Sequence, residues 1–233
     1  MLATHPCQPL LDRLQSVIIG KEPTIALVVA SLLAGGHVLL EDVPGVGKTL
    51  LARTLAAAVG GEAKRVQFSP DLLPSDITGV SVYHPGEGNF RFVPGPLFAN
   101  VLLADEINRA SPRTQSSLLE AMEEGRATVD GCAYTLPRPF MVIATQNPIE
   151  HQGTFPLPEA QLDRFAIAVS LGYPTPDEEQ ALLARAVGAQ SGEIPESPVL
   201  SPEALVAMQA HVREIRVDAS LQQYVVRVVG RTR

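Results

Sequence analysis

HVLLEDVPGVGKTLLART, residues 37–54, changes character twice. An apolar run that fits a buried strand (Val38, Leu39, Leu40) gives way to a loop of Pro44, Gly45, Val46 and Gly47, and Lys48-Thr49 then head a helix with apolar periodicity. Strand, glycine loop and helix in that order make a cradle for phosphate. Glycine lets the backbone come close to an anion, and the amides of a helix N-terminus point at it. Lys48 can reach the outer phosphates and the Thr49 hydroxyl can hold Mg²⁺. One position departs from the pattern: Asp42 stands where the first glycine is expected. An acid there lies near phosphate charge, so its side chain is expected to point away, with Val43, Pro44 and Gly45 making the turn.

Around this stretch the chain reads as a soluble α/β protein. Its 233 residues are 45% hydrophobic and 18% charged, which gives one large domain, or a core with a small appendage, ample material to bury. No apolar run has the length of a membrane span, and Asp12 and Arg13 interrupt the N-terminal apolar pattern, unlike a signal peptide. Cys7 and Cys132 are far apart and make no metal spacing, consistent with a reduced, cytoplasmic setting. A net charge of −7 without a Lys/Arg run argues against a strong non-specific nucleic-acid surface.

Upstream of the loop, residues 10–19 and 21–34 read as helices, the second closed by Gly35-Gly36. Downstream, residues 65–68 read as a second strand, and short β-to-α units of this kind suit a parallel sheet covered by helices. Residues 80–83 and 89–93 flank a turn at 84–88, a β-hairpin that is either a solvated decoration or a contact device. Val101–Ala104 reads as a buried strand with Asp105 and Glu106 at its C-terminal end, where parallel sheets place ligands. Asp105 suits Mg²⁺, and Glu106 suits polarisation of an attacking water. A helix over 112–124 follows, with Leu118 and Met122 as core, then a second hairpin turning at Asp130-Gly131 and a strand over 140–144. Asn147 beyond that strand could bond a γ-phosphate or the water, or could simply open the Asn147-Pro148 turn. Arg164 ends a short helix where it could reach out of its own subunit, or could pair on the surface with Asp163 or Glu159. After a strand over 166–171, Pro174 and Pro176 mark a boundary, beyond which every periodic segment is helical.

These residues carry a family resemblance. EDVPGVGKT (41–49), LLADEINRASPRTQSSLLEAMEE (102–124), ATQNP (144–148) and EAQLDRF (159–165) together resemble the AAA+ ATPases, and within them the MoxR family. The resemblance implies a P-loop core with a parallel five-stranded sheet over 1–174, with the 80–93 hairpin as a helix-2-type insert, and a partial helical lid over 175–233. It implies ATP/ADP contact by Ile19, Gly20, Pro44, Gly45, Val46, Gly47, Lys48, Thr49, Leu50 and Asp105, with Thr49 and Asp105 on Mg²⁺. Glu106, Asn147 and Arg164 match the catalytic acid, the sensor 1 position and the arginine finger inserted into a neighbour's site. The Gly-Ala-Ser-Pro-Arg motif of the family's sensor 2 is missing, so the chain is expected to stop inside the lid. Also implied are a homo-oligomeric, hexameric ring, a chaperone-like role on an unidentified client, and a partner bearing a von Willebrand factor A domain. Two other readings stand beside this one. A nucleic-acid motor demands basic or aromatic hairpin tips, and the tips here are Pro85-Gly86-Glu87-Gly88 and Asp130-Gly131-Cys132, with Arg91 and Arg126 nearby. A scaffold that binds ATP without turnover is the other.

Overall fold

The computed structural model describes residues 6–42, 45–147, 153–187, 194–195 and 197–231. In chain order the elements are α1 (Gln8–Val17), α2 (Glu22–Ala34), β1 (Val38–Glu41), α3 (Lys48–Ala58), β2 (Ala63–Gln67), α4 (Pro74–Thr78), β3 (Gly79–His84) and β4 (Asn89–Pro94). Then follow β5 (Val101–Asp105), α5 (Pro112–Glu124), β6 (Arg126–Val129), β7 (Cys132–Thr135), β8 (Met141–Gln146), α6 (Glu159–Leu162), β9 (Ile167–Val169), α7 (Pro176–Val187), α8 (Pro202–Glu214) and α9 (Ala219–Gly230). Five strands form one parallel sheet in the order β2-β5-β8-β1-β9, and β3-β4 and β6-β7 are separate antiparallel hairpins.

The continuous apolar runs are explained by burial on both faces of the sheet. Alternation along each strand divides the core in two. Val38, Leu40, Val101, Leu103, Met141 and Ile143 face the layer that includes α1, α2 and α3. Leu39, Leu102, Ala104, Val142 and Ala144 face the layer that includes α5, where Leu118 and Met122 are buried as expected. Pro112 sits in the first turn of α5, the Ser111 hydroxyl caps it by accepting from Thr114 N–H, and Gly125 at φ 64 ends it.

Several boundaries differ from the sequence reading. The strand expected over 140–144 runs to Gln146, because its pairing with β1 continues to Glu41↔Gln146. The strand expected over 166–171 ends at Val169: past it, the amides of Leu171 and Gly172 leave the ladder to donate to Asp42. The second strand begins at Ala63 rather than at residue 65, in register with the whole of β5. The two hairpins touch through Phe92 of β4 and Tyr134 of β7, whose rings stack at 3.9 Å and 17°. Helix α8 seats fully buried Leu205 in the core and donates from Gln209 to Leu32 O at 2.7 Å. Helix α9 has no buried residue. Among the described residues no helix is long and apolar enough to cross a membrane.

Candidate functional site

The parallel sheet brings the C-terminal ends of β1, β2, β5 and β8 to one edge, and the polar residues of the chain's motifs gather there. Gly45 and Gly47 have φ of 90° and 92°, conformations closed to ordinary side chains, and a Cβ built on either meets nothing within 4 Å. At these two positions the loop therefore presents bare backbone. Gly47 is the N-cap of α3, whose first-turn N–H groups have no partner within the helix. Val46 packs against the core and fixes the loop from below. Thr49 and Leu50 are half-buried in the first turn, Thr49 facing a cleft that it shares with Arg53, Lys64 and Arg65. Pro44, together with Val43, lies outside the described residues.

Asp42 settles the departure from the glycine pattern. Its carboxylate accepts from Ser170 Oγ (2.7 Å), Leu171 N (2.6 Å) and Gly172 N (2.9 Å), and the residue is 4% exposed. The charge is turned from the loop and spent on the end of β9. Lys48 Nζ donates to the Asp42 carbonyl at 3.4 Å and lies 3.8 Å from Asp105 Oδ1.

Asp105 is held on both oxygens. Oδ1 accepts from the Thr145 hydroxyl at 2.6 Å, while Oδ2 accepts from Arg65 Nη2 at 2.6 Å and Nε at 3.2 Å. Glu106 follows in the left-handed region at φ 57, a strained conformation for its type, as N-cap of the 3-10 turn Ile107–Arg109. That kink turns its carboxylate to accept from Gln67 Nε2 at 2.7 Å and Arg109 Nη1 at 3.0 Å. The Glu106 N–H donates to Thr145 Oγ1 at 2.9 Å.

The other predicted residues divide. Asn147 follows directly on β8 at this same edge, half-buried. Ile19 and Gly20 are half-buried between α1 and α2, and Gly20, at φ 69, packs so closely on the Glu178 carboxylate of α7 that a Cβ would collide with it. Arg164 stands apart. Its guanidinium pairs with Glu123 of α5 at 2.9 Å, not with Asp163 or Glu159, and shares a cleft with Ser116, Glu120 and Gln161 rather than with Lys48 or Asp105.

Sequence reading passed over Arg65, Gln67 and Thr145. The available signal for the first two was an alternation of Arg and Gln on one face of a strand that otherwise had to pair with apolar β5. It also passed over two exposed aromatics on the first hairpin. Tyr83 and Phe90, 51% and 72% exposed, have ring centroids 5.3 Å apart.

Comparison with known proteins gives concordant results. The profile of the ATPase family associated with various cellular activities (AAA) matches residues 37–167. The chain is 51% identical over 223 residues to the uncharacterised protein YeaC of Bacillus subtilis (strain 168), covering 96% of this chain and 69% of YeaC. It is 44% identical over 229 residues to the chaperone MoxR1 of Mycobacterium tuberculosis, covering 98% of this chain and 60% of that relative. A crystal structure of an inferred ATPase from Cytophaga hutchinsonii superposes with a TM-score of 0.86 at 38% identity, over 96% of this chain and 68% of that one. The chain thus spans roughly two thirds of the length of each of these proteins.

Proposed function

Since the chain belongs to the AAA family, and within it to the MoxR-type AAA+ ATPases, we propose that it is a Mg²⁺-dependent ATPase whose site is completed by a neighbouring copy. The observation that carries this reading is the approach of Lys48 Nζ to Asp105 Oδ1, 3.8 Å apart, between a bare glycine loop and a Glu106 carboxylate at the same edge of the sheet. The donor set fits a magnesium nucleotide: a cation and helix amides for phosphate, a hydroxyl on Thr49 and a carboxylate on Asp105 for metal. When bound, Mg²⁺ offsets charge on the phosphates.

Each residue then has a task. The Gly45–Gly47 backbone and the first amides of α3 hold the phosphate oxygens. Lys48 leaves its carbonyl partner on Asp42 to reach the outer phosphates. Glu106 takes the proton of the attacking water, for which its carboxylate must release Gln67 and Arg109. Asn147 orients that water or the terminal phosphate, and Ile19 and Gly20 border the base. Arg164 leaves Glu123 and enters the adjacent copy's site, where it balances charge on the transferring phosphoryl group. Turnover therefore depends on assembly into a ring, a hexamer on the family pattern, and chaperone-like remodelling of a client protein is the work it drives.

ATP turnover per subunit, measured with Mg²⁺ over a wide range of protein concentration with Lys48→Ala as blank, tests the reading. Turnover that climbs with concentration, with the climb abolished by Arg164→Ala, supports it. Turnover that stays flat at the blank while ATP binds leaves only a nucleotide-binding scaffold. The exposed Tyr83–Phe90 pair favours one second reading, a motor on single-stranded nucleic acid, since such rings stack on bases. Gel-shift binding of single-stranded DNA that weakens as salt rises would establish that alternative.

A further inference from the structure

Arg65 is an unusual neighbour for an acid that has to serve a metal. It lies on β2, the edge strand, across from Leu103, and reaches along the sheet to Asp105. Both of its contacts, Nη2 at 2.6 Å and Nε at 3.2 Å, fall on one oxygen, Oδ2. Those two donors use both lone-pair directions of that oxygen. The other oxygen, Oδ1, faces the buried Thr145 hydroxyl and Lys48. The Asp105 side chain is 11% exposed and that of Arg65 is 52% exposed, so the guanidinium forms the solvent side of the pair. A divalent cation approaching Oδ2 meets the guanidinium first, and one approaching Oδ1 is left facing an uncompensated like charge.

The contact does not end at Asp105. Arg65 Nη2 also donates to Gln67 Oε1 at 3.1 Å, and Gln67 Nε2 donates to Glu106 Oε2 at 2.7 Å. Asp105, Arg65, Gln67 and Glu106 form one unbroken hydrogen-bonded chain that joins the two acids through side chains of the edge strand.

We propose that Arg65 is a positioning residue, the counterion that holds Asp105 until metal binds, displaced when a divalent cation enters with a nucleoside triphosphate. The proposal rests on the reading of Asp105 as the acid on the metal side. The ion pair satisfies a nearly buried carboxylate before metal binds, and its rupture is a cost that the incoming metal has to meet.

The test uses the whole chain and the fluorescent analogue mant-ATP, titrated with Mg²⁺ and separately in EDTA, for wild type, Arg65→Ala and Arg65→Lys, with circular dichroism melts to establish folding. Arg65→Ala is expected to lower the Mg²⁺ concentration for half-maximal response about tenfold, as for loss of a competing charge-assisted hydrogen bond, while affinity in EDTA stays within about twofold. Arg65→Lys should fall between. An unchanged or higher Mg²⁺ midpoint in a folded variant overturns the proposal, because Arg65 is then only a tie between β2 and β5. Weaker binding in EDTA also overturns it, since Arg65 is then a phosphate ligand. If Arg65→Ala does not fold, Arg65→Gln carries the same comparison. Wild type that folds but binds no analogue overturns the metal-nucleotide reading itself, whereas wild type that responds to Mg²⁺ beside an unshifted variant overturns the role of Arg65 alone.

Discussion

Thr145 donates its hydroxyl hydrogen to Asp105 Oδ1 at 2.6 Å, and the same oxygen of Thr145 accepts the Glu106 N–H at 2.9 Å. One fully buried hydroxyl therefore fixes the carboxylate of one acid and the backbone of the next. Thr145→Val keeps the shape and removes both bonds, leaving a part-buried N–H and a buried carboxylate oxygen short of a donor. Urea unfolding should show a loss of about 1–3 kcal/mol. Turnover should drop by at least about tenfold, whereas Thr145→Ser should stay near wild type in both measurements.

Asp42 predicts a separation of stability from binding. Its carboxylate, itself buried, accepts three charge-assisted hydrogen bonds from the end of β9. Asp42→Asn replaces one acceptor by a donor aimed at other donors, and urea unfolding should report a loss of about 2–4 kcal/mol. Because the side chain faces away from the glycine loop, nucleotide affinity measured at a temperature where the variant is folded should change little.

His37 makes the fold sensitive to acid. Val142 N–H donates to its Nδ1 at 3.0 Å, which leaves Nε2 to carry the hydrogen and donate to Met122 O at 3.1 Å. Burial lowers its pKa from the ordinary value, and the Met122 bond opposes that shift with a smaller effect. The unfolded chain thus binds a proton that the native chain resists. The contribution of His37 is complete above about pH 6.5 and is lost as pH falls below it. Melting temperature followed from pH 8 to 5 should decline for wild type with a slope that His37→Gln reduces.

Glu123 and Arg164 form a pair whose loss should barely affect stability. Their side chains are 63% and 34% exposed, so Glu123→Gln should change unfolding free energy by less than about 1 kcal/mol. If Arg164 works in the neighbour's site, Glu123→Gln leaves turnover at or above the wild-type level, while Arg164→Ala lowers it by about a hundredfold or more. A parallel collapse in both variants would assign the pair to structure instead.

The Phe92–Tyr134 stack links the two hairpins, and it is the ring contact through which β4 meets β7. Tyr134→Ala should forfeit about 0.5–1.5 kcal/mol of that contact. Hydrogen exchange should then speed up over β3 and β4 while β1, β5 and β8 keep their protection.

The chain's larger design was legible because each of its signals was local. The run Val38–Leu40, the glycine loop and Lys48-Thr49 lie in one stretch, as do Val101–Ala104 and the two acids after it, so strand, loop and helix could be ordered without knowledge of what packs where. What escaped was set by contacts between distant segments. Thr145 looked like the end of a strand, and its role appears only when β8 lies beside β5. Arg65 and Gln67 looked like ordinary polar residues of a second strand until register put Gln67 opposite Asp105. The length of β9 escaped for the same reason: Asp42, over a hundred residues earlier, claims the amides that would have extended it. Arg164 was singled out by motif, but its partner, Glu123, lies on a different helix.

The strand order has a consequence for how this protein is made. β1 leads into the glycine loop, yet among the described residues it pairs with β8 and β9, and Val38 finds its partners at Ile143 and Ile167. Closing loops of that length precedes any reward from the contacts they allow, so parallel pairing of this kind is slow. On a ribosome the loop strand emerges early and has to wait, apolar on both faces, until the chain has been extended through Val169. A nascent chain arrested short of that point has the loop in its sequence but not the strands that flank β1, which puts the shaping of the loop late in folding.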